Sequence, residues 1–570
     1  MYSYSESSGN IERVNIGSRG IQGNIDPVYD KLGRVTEKTA SFSTGSTGLF
    51  WNRHTYDYKS AGGNESVLVS SVTSEIRRSS GTSVVSAKTW NYTYDGNGNI
   101  TMITDVSGTV QNRYYYDSLG QLTREDNRAL GKTYVWTYDK AGNIQSRKTY
   151  AFTTGSLGSV QESVTYQYGE TQWKDLLTKY GDVNITYDEI GNPSNGGNGA
   201  LTWEGRRLKS YVNASGQRLT YDYNADGIRV STEHYDGMSR VTMRTEYVLN
   251  GTQITQETMY RDGEEEYTFV YIYDENGSPV AYKFRRASYA EGEYDLYFYE
   301  KNLQGDVIGI YDETGTKVVE YIYNAWGEVT TKYLTTQSLT ALYQNPFRYR
   351  GYYYDTITGF YYVSSRYYDP EIGRWLNADG YVSTGQGILS NNMFAYCENN
   401  SVNKIDPAGN FALTATLGGI ALWKIGTAII GAVTAFIVVD TIVKNPPTLP
   451  VISTPKIEAK PKSETKEKTE DIVSSRPRRD PVHHIVAKAD FRAAESRKIL
   501  MDVGIDPITD PRNLVILPQR YHALLHTAAY HNYVLERLRS VAGDKKGIEA
   551  TLASIKAEIL ARLATGIRWD

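Results

Sequence analysis

Five of the seven histidines in this 570-residue chain fall between residues 483 and 531. They are His483 and His484 in Pro481-Val-His-His-Ile-Val, then His522, His526 and His531 in Arg520-Tyr-His-Ala-Leu-Leu-His-Thr-Ala-Ala-Tyr-His. Imidazole ligates transition metals and exchanges a proton near neutral pH, so such a concentration suits hydrolysis by an activated water. His522 and His526 stand four apart in a stretch with helical periodicity, which projects both from one face, where they could hold one metal. Adjacent histidines on an extended segment point in opposite directions, so one of His483 and His484 can face a metal while the other faces solvent or substrate. Between these groups, Asn513-Leu-Val-Ile-Leu-Pro518 reads as a short buried strand ended by proline. Asn513 at its start can hold an imidazole in one tautomer by hydrogen bonding.

A His-His strand, an Asn strand and a helix bearing H-x-x-x-H form, in that order, the ββα-metal arrangement. The stretch from about 480 to 542 resembles the HNH nuclease superfamily and, more closely, its AHH branch of bacterial toxin nucleases. The resemblance implies a small α-rich ββα-metal domain over 480–570 and a metal-dependent endonuclease that hydrolyses phosphodiester bonds, with DNA the expected substrate. It implies His484 as the general base, Asn513 as its orienting partner, and His483, His522 and His526 as ligands of a divalent metal ion, Mg, Zn or Ni. Arg492, Lys498, Arg512 and Arg520 are candidates for contacts to backbone phosphates. A cognate immunity protein is the further partner implied. In the tail, the spacing of Ile548, Leu552, Ile555, Ile559 and Leu563 predicts an amphipathic helix packed on the module.

The charge distribution agrees with a separate module. From Arg476 to Asp570, 16 Lys and Arg stand against 11 Asp and Glu, a balance of +5, which leaves −9 for the rest of a chain whose net charge is −4. Residues 444–479, rich in proline with a Lys/Glu-rich middle, read as a solvated linker. Residues 411–443 hold two apolar runs, Phe411–Trp423 and Ile425–Val439, separated by Lys424. Each run is shorter than the roughly 20 residues that span a bilayer, though together they reach that length. Two readings stand: a membrane-entry segment for a target cell, or helices buried against the rest of the protein. The single Cys397 excludes an intramolecular disulfide and any Cys-based zinc cluster. The 22% charged and 40% hydrophobic fractions exclude wholesale disorder.

The first 410 residues are a different material. Of the 49 tyrosines only Tyr521, Tyr530 and Tyr533 lie beyond residue 410. A unit of Tyr, Asp or Asn, two variable residues and Gly starts at Tyr29, Tyr94, Tyr116, Tyr138, Tyr187, Tyr223, Tyr273, Tyr311 and Tyr323, with looser copies at Tyr354 and Tyr368. Such a unit is a strand running into a tight turn: the aromatic ends the strand, Asp or Asn caps the turn, and Gly takes the positive-φ position. The 22-residue steps from Tyr94 to Tyr116 to Tyr138 predict one hairpin per repeat, and repeated hairpins must stack to bury their faces.

These repeats resemble the bacterial YD-repeat, or RHS-repeat, proteins over roughly residues 25–410. The most specific part runs from Arg348-Tyr-Arg-Gly-Tyr-Tyr-Tyr-Asp through Arg366-Tyr-Tyr-Asp-Pro and Gly373-Arg-Trp to Asp406-Pro-Ala-Gly409. The expectation is a mainly β chain, a coiled YD-repeat sheet forming a shell over 1–410, with a boundary motif at 345–410 before a variable effector. The resemblance implies Arg366, Asp379 and Asp406 as autoproteolytic residues at that boundary.

Together these readings describe a secreted or contact-delivered bacterial toxin with a C-terminal nuclease. The N-terminus has no basic start and no apolar stretch of leader length, so either leaderless export or a piece of a longer chain is expected. The rival reading is a carrier or cell-surface adhesion protein whose C-terminal module is catalytically inactive.

Overall fold

Tyrosine hydroxyls and Asx turns set the local structure of the repeats. In each of the nine strict units the glycine has a positive φ, from 72° at Gly277 to 91° at Gly327, a conformation that costs a side-chain-bearing residue about 1 kcal/mol or more. Asp139 shows the capping: Oδ1 accepts hydrogen bonds from Ala141 N (2.8 Å) and Asn143 N (2.9 Å), while its carbonyl accepts from Gly142 N (3.2 Å). Asp95, Asp117, Asp188, Asn224, Asp274, Asp312 and Asn324 repeat the pattern. The two looser copies also turn on positive-φ glycines, Gly359 and Gly373.

In the computed structural model the described residues are most of 2–414, together with 482–484, 494–505, 513–516 and 528–565. The apolar segment beyond residue 414 and the 444–479 linker lie outside them. Two compact units divide the chain, Met1–Trp423 and Lys424–Asp570.

The first unit is a meander. Fifteen strands, from Tyr2–Tyr4 to Val183–Asn184, pair antiparallel in sequence order, and thirteen more, from Asn195–Gly196 to Val329–Tyr333, form a second sheet in the same way. Irregularities recur where a repeat Tyr ends its strand, as between Thr137 and Tyr138 and between Ile272 and Tyr273; such bulges raise local twist. The same tyrosines tie each hairpin to the preceding one. Tyr116, Tyr138 and Tyr323 donate their hydroxyls to Ile100 O (2.7 Å), Leu122 O (2.5 Å) and Val307 O (2.6 Å), each sixteen residues back. Tyr94, Tyr168 and Tyr223 make the equivalent bond to Val69, Ile144 and Leu208.

Residues 339–414 are the piece on which both sheets close. Tyr349, Tyr361, Tyr368 and Tyr396 join Trp136, Tyr114 and Tyr166 of the first sheet in one core. Phe360, Tyr362 and Tyr367 pack with Leu208, Tyr211 and Tyr221 of the second sheet, and Phe347 with Tyr271 and Tyr299. Burying a tyrosine contributes roughly 25 cal/mol per Å2 of apolar surface, provided its hydroxyl finds a partner.

The second unit holds a two-stranded antiparallel sheet, Val482–His484 with Leu514–Ile516, and helices Ala494–Asp502, Ala528–Arg539 and Lys545–Thr565. The expected amphipathic tail is the last of these: Ile548, Leu552, Ile555 and Ile559 are fully buried and pack with Leu500, Val534 and Leu538.

Three carboxyl groups in the first unit sit in surroundings that disfavour charge. Burial pushes Glu125, Glu257 and Asp369 up to about 7. Each holds its proton in the folded chain at a pH where the unfolded chain has lost it, so their contribution to stability falls as pH rises from about 4 to about 7 and is constant above that. The midpoint of urea unfolding, read by tyrosine and tryptophan fluorescence, is expected to be lower at pH 8 than at pH 5. Glu257→Gln should reduce that difference; an unchanged difference in this variant would contradict the account.

Candidate functional site

The boundary segment brings Arg366, Asp379 and Asp406 together. Arg366 lies on the strand Arg366–Asp369, whose neighbours are Tyr361–Val363 and Arg374–Trp375. Its Nη2 is 2.8 Å from Asp379 Oδ2 and 3.7 Å from Asp406 Oδ2, and all three side chains are buried. The guanidinium stacks 4.2 Å from the Trp375 ring centroid, Nη1 donates to Met393 O at 3.0 Å, and Nε donates to Gly409 O. Burial pulls the guanidinium below the ordinary arginine range, and the two carboxylates oppose that shift.

Asp406 is built into a turn of the same Asx type as the repeats. Its Oδ1 accepts from Ala408 N, Gly409 N and Asn410 N at 3.3, 2.8 and 3.0 Å, leaving Oδ2 toward Arg366. Gly409 has φ 81°, and a Cβ there would stand 2.7 Å from Val363 O, so glycine is required both by conformation and by space. A cavity of about 30 Å3 adjoins Arg366, Asp379, Asp406 and Asn410, room for a water. The site thus combines two carboxylates, a cation on the Gly409 carbonyl and space beside them.

Two further residues shape the turn and were not singled out by sequence reasoning. Tyr352 donates its hydroxyl to Asp406 O (2.9 Å) and accepts from Asp406 N (3.0 Å). Arg350 donates Nη2 to Ser401 O and pairs with Asp306 Oδ1 at 3.3 Å. Both lie in the Arg348–Tyr354 stretch of the boundary motif, which was the available signal.

At the C-terminal end the strand pair aligns His483 with Val515 and His484 with Leu514, so the backbone of His484 stands one register step from Asn513. Asn513 is fully buried. Lys498 is exposed on the helix Ala494–Asp502. His522, His526, Arg492, Arg512 and Arg520 lie outside the described residues, as does the H-x-x-x-H turn itself; the helix Ala528–Arg539 follows it directly. Among the described residues no group of three or more His, Cys, Asp or Glu is placed to hold a metal ion, and no helix is long and apolar enough to cross a membrane.

Two serial antiparallel sheets closed by a Tyr-rich boundary segment define a YD-repeat shell. The chain belongs to the teneurin YD-shell family, whose model matches residues 103–402, more than half of its length. Residues 465–567 match AHH, a nuclease family of the HNH/ENDO VII superfamily with conserved AHH. The combination is that of an RHS/YD-repeat polymorphic toxin with an AHH-type segment. Among curated relatives, the chain is 31% identical over 312 residues to the tRNA nuclease WapA of Bacillus subtilis, covering 54% of this chain and 12% of WapA. It is 27% identical over 360 residues to double-stranded DNA deaminase toxin A of Burkholderia cenocepacia, covering 58% of this chain and 23% of that protein. The chain therefore spans less than a quarter of the length of these relatives. Of solved structures, the Photorhabdus luminescens Tc holotoxin pore matches with a TM-score of 0.54 at 20% identity, over 74% of this chain and 21% of that one, a likeness of fold.

Removing the central cation of the boundary site would leave two buried carboxylates facing each other without it. Arg366→Met is expected to destabilise the first unit by about 3–5 kcal/mol, seen as a lowered denaturation midpoint for the full chain. A loss under about 1 kcal/mol, the worth of an exposed pair, would show that the guanidinium is not what holds the turn.

Proposed function

We propose that this chain acts as a bacterial toxin outside the producing cell, in which the YD shell carries an AHH-type metal-dependent endonuclease at residues 480–570. The observation that carries the nuclease reading is the antiparallel register that sets His484 one step from the buried Asn513, two elements of the ββα arrangement. In this reading His484 takes a proton from the attacking water, Asn513 orients its imidazole, and Lys498, Arg492, Arg512 and Arg520 meet backbone phosphates. His483, His522 and His526 would hold the divalent ion, and an imidazole donor set suits zinc or nickel, with magnesium also compatible with the superfamily. Such an ion, when bound, supplies charge to stabilise the pentacovalent phosphate and the leaving oxygen.

DNA is the expected substrate; the resemblance to a tRNA nuclease makes RNA the comparison that the test must include. Incubating the full chain with plasmid DNA and with total RNA, in EDTA, Mg²⁺, Zn²⁺ and Ni²⁺ arms, should give metal-dependent cleavage that drops by about 100-fold or more in His484→Ala, the scale of a lost general base. Cleavage of neither polymer by a folded chain that binds metal would instead favour the inactive-module carrier. A cognate immunity protein is a proposed partner, and passage of 411–443 into a target membrane a proposed step.

We further propose that the boundary cuts itself. A water held between Asp379 and Asp406 loses a proton to a carboxylate and attacks a backbone carbonyl in 409–411, while Arg366, which donates to Gly409 O, stabilises the developing oxyanion. The C–N bond breaks, the amine leaves with a proton and a new carboxylate forms. Intact-mass analysis of the purified chain is expected to give two fragments meeting within 409–411, and a single uncut species for Asp406→Asn. Cleavage at an unrelated site, or undiminished cleavage in this variant, would remove the role of the pair.

A further inference from the structure

A partly open cavity of about 200 Å3 lies between the two sheets. Its walls come from the strands between Ser83 and Asn127 in the first sheet, from the strands Val307–Asp312 and Lys317–Tyr323 with their flanking loops in the second, and from the boundary residues Tyr349, Arg350 and Val402. At about 30 Å3 per water, the space takes on the order of six or seven waters, or one six-membered ring with its substituents. The mouth includes Lys88, whose side chain is 37% exposed, and the exposed Ala129.

Three features of the wall define what fits. Trp90, Tyr114, Tyr321 and Tyr323 provide aromatic surface from both sheets. Opposite charges largely offset one another in the lining: Lys88, Lys317 and Arg350 stand against Asp306, Glu320 and a Glu125 that is only partly ionised near neutrality, with Arg350 paired to Asp306 at 3.3 Å. Such a wall offers a charged ligand little net Coulombic reward for its lost hydration. The polar groups that remain are hydrogen-bonding ones. Gln304 is 6% exposed, yet among the described residues its Oε1 accepts no hydrogen bond. A buried acceptor left so costs about 1–3 kcal/mol and calls for a donor from outside the chain. Glu125, 1% exposed, accepts from neutral donors among the described residues: Ala325 N at 2.7 Å, Asn127 Nδ2 at 2.9 Å and Asn112 Nδ2 at 3.4 Å. Burial pushes its carboxyl up to about 7, so near neutrality it can either donate or accept.

We propose that this cavity is a binding site for a neutral, hydroxyl-rich ligand of one sugar ring, a monosaccharide or the terminal unit of a glycan. The aromatic surfaces receive the apolar C–H face of the ring, and hydroxyls donate to Gln304 Oε1 and exchange hydrogen bonds with Glu125 and the amides of Gln111 and Asn112. The site lies in the first unit, shares no residue with the proposed nuclease or with Arg366, Asp379 and Asp406, and stands whether or not either reading holds.

The test uses the full chain in saturation-transfer NMR and calorimetric titration with glucose, galactose, mannose and N-acetylglucosamine as probes, beside inorganic phosphate and putrescine as charged controls. Saturable binding of at least one sugar with Kd in the millimolar range or below is expected, weakened about tenfold in Trp90→Ala and in Gln304→Leu, with neither control binding. Melting temperatures of both variants check that they fold. Crystals of the parent chain soaked in the tightest sugar locate it without relying on either variant. No saturable sugar binding, preferential binding of phosphate or putrescine, or a soaked sugar lying elsewhere would overturn the proposal.

Discussion

A tyrosine buried at the end of a strand, with its hydroxyl donated to a carbonyl of the preceding hairpin, is the interaction on which the first unit rests. An isolated two-stranded hairpin is marginal in water. Here each hairpin inherits a hydrogen bond and an aromatic face from the next, through bonds such as Tyr116 to Ile100 and Tyr138 to Leu122. Burial supplies the apolar gain and the carbonyl removes the cost of taking the hydroxyl out of water. Strand pairing confined to sequence neighbours follows, because each unit carries its own connection to the one before.

That economy also explains where charge is tolerated. Arg229 is fully buried and ringed by Tyr221, Tyr247, Tyr353 and Tyr362 at 4.3–5.6 Å, and among the described residues no carboxylate is bonded to it. The negative faces of four rings take the place of a counter-ion. At the boundary the solution differs: Arg366 and Arg350 each engage carboxylates and main-chain carbonyls at once. A cation held in that manner pins loop backbone to the sheets, and with the bonds to Asp406 Oδ1 it fixes the turn at Asp406–Asn410. Rigidity at that point is what a self-cutting boundary requires, since the attacking group and the carbonyl must be held in place before reaction.

The second unit is organised on different terms. Its three described helices share an aliphatic core of Leu500, Leu538, Leu552 and Ile555, with little aromatic content, and Arg537, which bonds Tyr533 on its own helix, links that helix to the next through Ser554. The short strand pair carries the two adjacent histidines, and the buried Asn513 directly precedes its second strand. The contrast in composition between the two units is therefore a contrast in how each buries its surface.

Much of this was legible in residue order alone. The Tyr-Asp-x-x-Gly unit specifies a strand end, a cap and a positive-φ turn, all interactions within five residues, and every strict copy adopts them. The 3.6-residue spacing of Ile548, Leu552, Ile555 and Ile559 likewise specified a buried helix face. Arg366, Asp379 and Asp406 are implied only by the resemblance of the boundary motif to the RHS-repeat proteins, and the boundary segment brings both carboxylates within 4 Å of the Arg366 guanidinium. Local spacing carries no information about which distant surfaces meet. That the repeat tyrosines reach back to the preceding hairpin, that Tyr352 holds both backbone groups of Asp406, and that Gln304 and Glu125 share a cavity between two sheets were decided by tertiary packing. These contacts join residues from 16 to about 180 positions apart, and only the closure of both sheets on residues 339–414 brings such pairs together.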